Sequence, residues 1–123
     1  MGNVYQNPNQ IMVQDLVVIY RPNGYDWLHY QITKRNIITL HHVVKEADGG
    51  ELTIGNSALL TVRAHRAVNK CESKDHVLYN EINDFFREII AARAPLDDYF
   101  IEQSKVYKYE LSKILYPKHN RIN

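Results

Sequence analysis

Thr39-Leu40-His41-His42-Val43-Val44, then Gly49-Gly50, Asn56, Leu59-Leu60 and finally His65-Arg66-Ala67-Val68-Asn69: this stretch sets three histidines and two asparagines among short apolar runs. β-Branched residues dominate Ile37–Val44, which predicts a strand carrying His41 and His42 in its second half. Neighbours on a strand face opposite ways, so the two histidines serve different purposes unless the strand bends. Lys45–Asn56 reads as a loop in which Gly49-Gly50 permits unusual backbone angles. Ser57–Val62 reads as a second strand and Ala64–Cys71 as a helix, which sets His65 and Asn69 four apart on one face.

Outward from this stretch the chain reads as scaffold. Met1–Gln10 is rich in Asn and Gln and reads as a loose lead-in. Ile11–Tyr20 is strongly apolar, and its periodicity fits a short helix or a buried strand. Arg21-Pro22-Asn23-Gly24 is a turn. Tyr25–Gln31 holds the single tryptophan, Trp27, between Tyr25 and Tyr30. Downstream, Asp75 is a fitting N-cap for a helix over Val77–Ala94, whose Val77, Leu78, Ile82, Phe85, Phe86, Ile89 and Ile90 follow helical spacing. Pro95 punctuates the chain. Leu96–Tyr116 forms a second amphipathic helix that Pro117 stops. The expectation is an α+β protein of one domain: a small β-rich site module over 11–72, then a helical pair over 75–116.

The bulk properties narrow the function classes. A chain of 123 residues is long enough for a core without staples. A single cysteine, Cys71, excludes an internal disulfide and a cysteine-rich zinc site, and fits a reducing cytoplasm. No apolar run reaches membrane-span length, and Met1–Gln10 lacks the basic-then-apolar order of a signal peptide, so neither membrane insertion nor secretion is expected. The net charge of +1 does not advertise nucleic-acid binding, unless the positive charge is local or a divalent cation supplies it.

In order and spacing, His-His-Val-Val, Gly-Gly, Asn56, Leu-Leu and His65 resemble the HNH nucleases, whose metal site sits in a ββα-metal fold. The resemblance covers roughly Arg21 to Asn69 and is strongest from Leu40. The Arg21-to-Trp27 stretch is similar to the lead-in of HNH proteins of phages and bacterial mobile elements. The resemblance implies a metal-dependent DNA endonuclease. It makes His41 and His65 metal ligands, His42 the general base that activates water, and Asn56 the brace that orients the base. Asn69 falls where colicin-type nucleases place another histidine ligand. An amide oxygen there favours Mg²⁺ or Mn²⁺, with Zn²⁺ or Ni²⁺ also compatible.

The chain departs from the family at the structural zinc. Many HNH domains carry two Cys-x-x-Cys pairs, and in a by-eye alignment Trp27 and Tyr30 occupy the first pair and Thr61 and Ala64 the second. No structural zinc is expected. Either these four form an apolar plug that substitutes buried area for ligand energy, or the two aromatics are ordinary core residues.

Several other residues carry two readings. Arg63 and Arg66 flank His65 and hold backbone phosphates or form a solvated helix face. Lys105, Lys108, Lys113 and Lys118 extend a DNA surface or mark the wet side of the last helix. Tyr99, Tyr107 and Tyr109 suit helix packing or a homodimer face better than base stacking. Glu46, Asp48 and Glu51 would repel phosphate, so they are expected to point away from the site. The alternative to an enzyme is a non-catalytic nucleic-acid-binding or protein-interaction module derived from an HNH nuclease.

Overall fold

Leu40 pairs with Leu59 and His41 with Ala58 in an antiparallel two-stranded sheet, β1 (Ile38–His42) against β2 (Ser57–Thr61). These belong to a computed structural model, which describes residues 7–117. β1 is shorter than the β-branched run implied. Val43 keeps the register one step past His42 by donating to the Asn56 carbonyl, and the backbone then leaves the ladder where Val44 is held by the Asn56 side chain. The connection between the strands contains two short 3-10 turns, Glu46–Asp48 and Ile54–Asn56.

The chain passes from β2 straight into helix α2 (Val62–Lys74), with Thr61 as N-cap accepting from the Ala64 N–H at 3.2 Å. Ala64, Ala67, Val68 and Cys71 form its buried face. Asp75 caps α3 (His76–Ala92) through the Leu78 N–H, and Asp97 caps α4 (Asp98–Leu115) through the Phe100 N–H. α3 stops when Arg93 turns left-handed, two residues before Pro95.

The lead-in reading is corrected at its end. Helix α1 (Pro8–Tyr20) starts at a proline in its first turn, and Asn7 and Gln10 close a capping box around it. That capping chemistry also decides the helix-or-strand ambiguity of Ile11–Tyr20. Residues 1–6, Lys118 and His119 lie outside the described residues.

The fold is α+β. One core unites its parts: Leu16 and Tyr20 from α1, Leu59 and Leu60 from β2, Val68 from α2, Ile82 and Phe86 from α3, and Leu111 from α4 are all nearly inaccessible. The helices after Asp75 are therefore not an appendage, because Phe86 packs on both Trp27 and His41. Tyr107 packs on Phe85, whereas Tyr99 and Tyr109 face outward. No described helix is long and apolar enough to cross a membrane.

Candidate metal centre

His41 is buried on the face of β1 that meets α2 and α3. Its ring stands edge-on to His65, with centroids 5.5 Å apart. Its Nε2 lies 3.0 Å from Oδ1 of Asn83. A carbonyl oxygen only accepts, so Nε2 carries the ring proton and Nδ1 keeps its lone pair. The same logic fixes His65. Its Nδ1 lies 3.3 Å from Oγ1 of Thr39, and that hydroxyl spends its own proton on the Leu60 carbonyl at 2.7 Å. Thr39 therefore accepts from His65, and Nε2 of His65 keeps the lone pair. Anchoring one ring N–H so that the other nitrogen can bind a cation is how proteins prepare histidine ligands.

Both rings resist protonation. Burial pushes His41 down to about 4; the Asn83 bond opposes the shift, and His65 and His42 add to it. Burial, then the nearby His42, holds His65 below the usual histidine range. Near neutral pH both present unprotonated nitrogens, the state a metal requires.

His41, His42, His65 and Asn69 line one depression of about 140 Å³. His42 is half-buried and also lines an outer depression of about 500 Å³ beside Pro8, Gly50 and Glu51. The end of β1 thus brings both neighbouring histidines to one rim despite their opposed faces. Asn69 is exposed, one turn beyond His65 on α2. Glu46 corrects an expectation, since it lines both depressions rather than pointing away. Glu51 lies on the outer one. Lys45 pairs with Glu72 at 2.6 Å at the edge of the site and neutralises that carboxylate.

Asn56 ties the loop to the strand end. Its Oδ1 accepts from the Val44 N–H at 2.7 Å, and its Nδ2 donates to the carbonyls of Val44 and Glu51, each at 3.0 Å. The backbone just after His42 is thereby fixed. Gly50 packs so closely that a Cβ there would run into the Val44 carbonyl and crowd the Asn56 amide. That close approach explains the second glycine of the pair, while Gly49 supplies a left-handed turn.

On α2, at about 100° per residue, His65, Asn69 and Glu72 share one strip, and Arg63, Arg66 and Lys70 form the adjacent one. Arg63 and Arg66 are exposed, with the Arg63 guanidinium 5.8 Å from the Tyr30 ring centre. Among the described residues no three His, Cys, Asp or Glu side chains gather to hold a metal. His41 and His65, with Asn69 beside them, are the residues that could hold a single cation at this depression.

Two residues of this architecture escaped the reading of the sequence. Asn83 is buried on α3 among Tyr79, Ile82 and Phe86. A polar residue on the apolar stripe of a helix was the available signal. Asp26 is the other. Its Oδ1 accepts the N–H groups of Leu28 and Tyr30, both at 2.9 Å, and its Oδ2 accepts that of Thr61 at 2.8 Å. It joins the 26–30 turn to the β2–α2 junction, where the resemblance would set the zinc cysteines. Trp27, Tyr30, Thr61 and Ala64 are all buried there. Trp27 packs its ring on Tyr20 and Phe86, and its backbone N–H donates to the Leu59 carbonyl. The junction is thus a carboxylate clasp set in apolar packing. Compared with protein-family models, with curated proteins and with solved structures, the chain matches none of them.

Proposed function

We propose that the chain is a metal-dependent endonuclease of the HNH type, which hydrolyses phosphodiester bonds in DNA by nicking or by double-strand cleavage. One observation supports this reading: the ring protons of His41 and His65 are both committed to fixed acceptors, which leaves each ring a neutral nitrogen suited to bind a cation, beside a third histidine. A divalent cation held by His41 and His65, with Asn69 at the edge, would stabilise charge on the phosphoryl oxygens and the departing 3′-oxygen. Mg²⁺ or Mn²⁺ suits an amide oxygen best, and Zn²⁺ or Ni²⁺ suits the imidazoles.

His42 is the general base. It takes the proton of the attacking water, and its half-buried place on the rim leaves the ring open to solvent and substrate. Asn56 and Gly50 act on it at one remove by fixing the backbone that follows. Arg63 and Arg66, on the strip beside His65, hold backbone phosphates. The products carry a 5′-phosphate and a 3′-hydroxyl. One site cuts one strand, so a monomer nicks. The exposed Tyr99, Val106 and Tyr109 of α4 offer a face for a homodimer that would cut both. The same reading puts the protein in the cytoplasm, where the lone buried Cys71 stays reduced.

The test is cleavage of supercoiled plasmid with each divalent cation, by wild type and by His42→Ala. Loss of cleavage with retained DNA binding in the variant supports the enzyme. A wild type inert with every cation leaves the non-catalytic binding or interaction module as the answer.

A further inference from the structure

The cations that flank the candidate metal centre continue onto a second surface. Arg63 and Arg66 of α2 and Lys108 of α4 line a common cavity of about 260 Å³ beside the buried ring of Tyr30. Lys108 lies 4.9 Å and Arg63 5.8 Å from the centre of that ring. Lys108 Nζ also donates to the His29 carbonyl at 3.2 Å, which ties α4 to the 24–30 turn. Among the described residues none of the three cations has a carboxylate partner, and what sets them apart from other unpaired cations is that they line one concavity. Three cations without a carboxylate around one concavity make a seat for an anion.

The turn that Lys108 holds carries a flat aromatic surface. The rings of Tyr25 and His29 stack with centroids 4.2 Å apart and planes 5° from parallel, and Tyr25 is 43% exposed. His29 reaches this geometry with a left-handed backbone, φ 62°, which a non-glycine residue adopts at a cost. The Lys108 bond to its carbonyl helps hold it there. A phosphate seat tied through Lys108 to a turn that carries a partly exposed aromatic ring is the pairing that recognises a single strand, whose bases are free to stack.

We propose that Arg63, Arg66 and Lys108 seat a backbone phosphate of an unpaired nucleic-acid strand while one of its bases stacks on Tyr25. This rests on the nuclease reading and sharpens its substrate to DNA with single-stranded character, such as a flap, branch or gap. It also makes α4 part of the substrate surface rather than only a packing or dimer element.

The test is fluorescence anisotropy with a labelled oligonucleotide, single-stranded or as a blunt duplex, in EDTA so that nothing is cut. Wild type should bind the single strand more tightly. The triple variant of Arg63→Gln, Arg66→Gln and Lys108→Gln should lower the salt dependence by about 0.7 in the log–log slope, the one phosphate charge no longer neutralised, and each single variant should weaken binding. Lys108→Arg should restore it. Tyr25→Ser should weaken single-strand binding about tenfold and leave the slope alone. Arg87→Gln, outside the band, should change nothing. The circular-dichroism spectrum should confirm folding, and Lys108→Arg keeps a donor for the His29 carbonyl. If wild type cuts plasmid yet the triple Gln variant keeps the wild-type slope, the band is wrong and the nuclease stands. If duplex binds more tightly and Tyr25→Ser is silent, the single-strand assignment is wrong. If wild type neither binds nor cuts, both readings fall.

Discussion

Asn83 accepts a hydrogen bond from His41 across 42 residues of sequence, from the third helix to the first strand. The bond selects the ring tautomer and makes α3 part of the candidate centre. Asn83→Ala should weaken Mn²⁺ binding by isothermal titration about 10- to 100-fold, the usual cost of removing the partner behind a histidine ligand. It should also destabilise the metal-free protein by about 1–3 kcal/mol, since His41 keeps a buried N–H with no acceptor. Asn83→Asp retains an acceptor and should keep most of the affinity. Equal affinity in wild type and Asn83→Ala would show that the bond has no part in metal binding.

The depressed His41 makes the fold acid-sensitive. An unfolded histidine titrates near its ordinary value of 6.5, and folded His41 near 4. Between these values the unfolded chain takes up a proton that the folded chain refuses. Stability is therefore full above about pH 6.5 and falls as pH drops toward 4, by about 3 kcal/mol if His41 acts alone. His65 shifts in the same direction and adds to the slope. Urea unfolding in EDTA across this range should show the decline. His41→Gln should flatten it, and a wild-type curve as flat as the variant's would contradict the burial argument.

Gly50 and Asn56 should behave as one unit. Gly50→Ala pushes on the Val44 carbonyl that Asn56 holds, and Asn56→Ala removes three hydrogen bonds from the same loop. Each should cost about 1–3 kcal/mol and most of the cleavage rate, because both release the backbone behind His42. The double variant should be little worse than the worse single one, since the two changes break one arrangement. Additive losses in urea unfolding would separate them.

Helical spacing and capping residues made much of this fold readable in advance. Asp75 caps its helix, and the strands and α2 begin within two residues of where the pattern put them. The local geometry of the candidate site follows short-range spacing too: Gly50 and Asn56 meet within one loop, and His65 and Asn69 stand about one turn apart on α2. Asn83 and the long arm of Asp26 were not readable in this way: His41 lies 42 residues from Asn83 and Thr61 lies 35 from Asp26, on a ring and a backbone that sequence order does not bring near. Lys108 is similar: its tie to the 24–30 turn spans 79 residues and looks from the sequence like any wet helix position.

Asp26 predicts how the fold meets chelation. Where zinc would supply ligand energy, this chain has a carboxylate bonded to three backbone N–H groups within apolar packing. Burial raises the Asp26 pKa and those donors oppose the rise, so loss of the carboxylate strands three buried donors at once. Asp26→Ala should therefore cost about 3 kcal/mol or more. EDTA, in contrast, should abolish cleavage while leaving the unfolding temperature of metal-free wild type and its helicity unchanged. Loss of helicity on chelation would reveal a structural metal.

On the proposed reading, Asn69 would decide which cation works best. It is exposed one turn beyond His65 on the strip that faces the depression, and an amide there offers oxygen where an imidazole would offer nitrogen. Asn69→His would pair two imidazoles four residues apart on one helix, a spacing that lets both reach one ion. Affinity for Zn²⁺ or Ni²⁺ should rise about tenfold or more, following the preference of those ions for nitrogen. Cleavage supported by Mg²⁺ should fall, because Mg²⁺ takes oxygen ligands and would lose one. Titration calorimetry and plasmid cleavage read the two effects separately. If Asn69→His and Asn69→Ala leave the metal preference where wild type has it, Asn69 stands outside the coordination sphere and the protein contributes only His41 and His65.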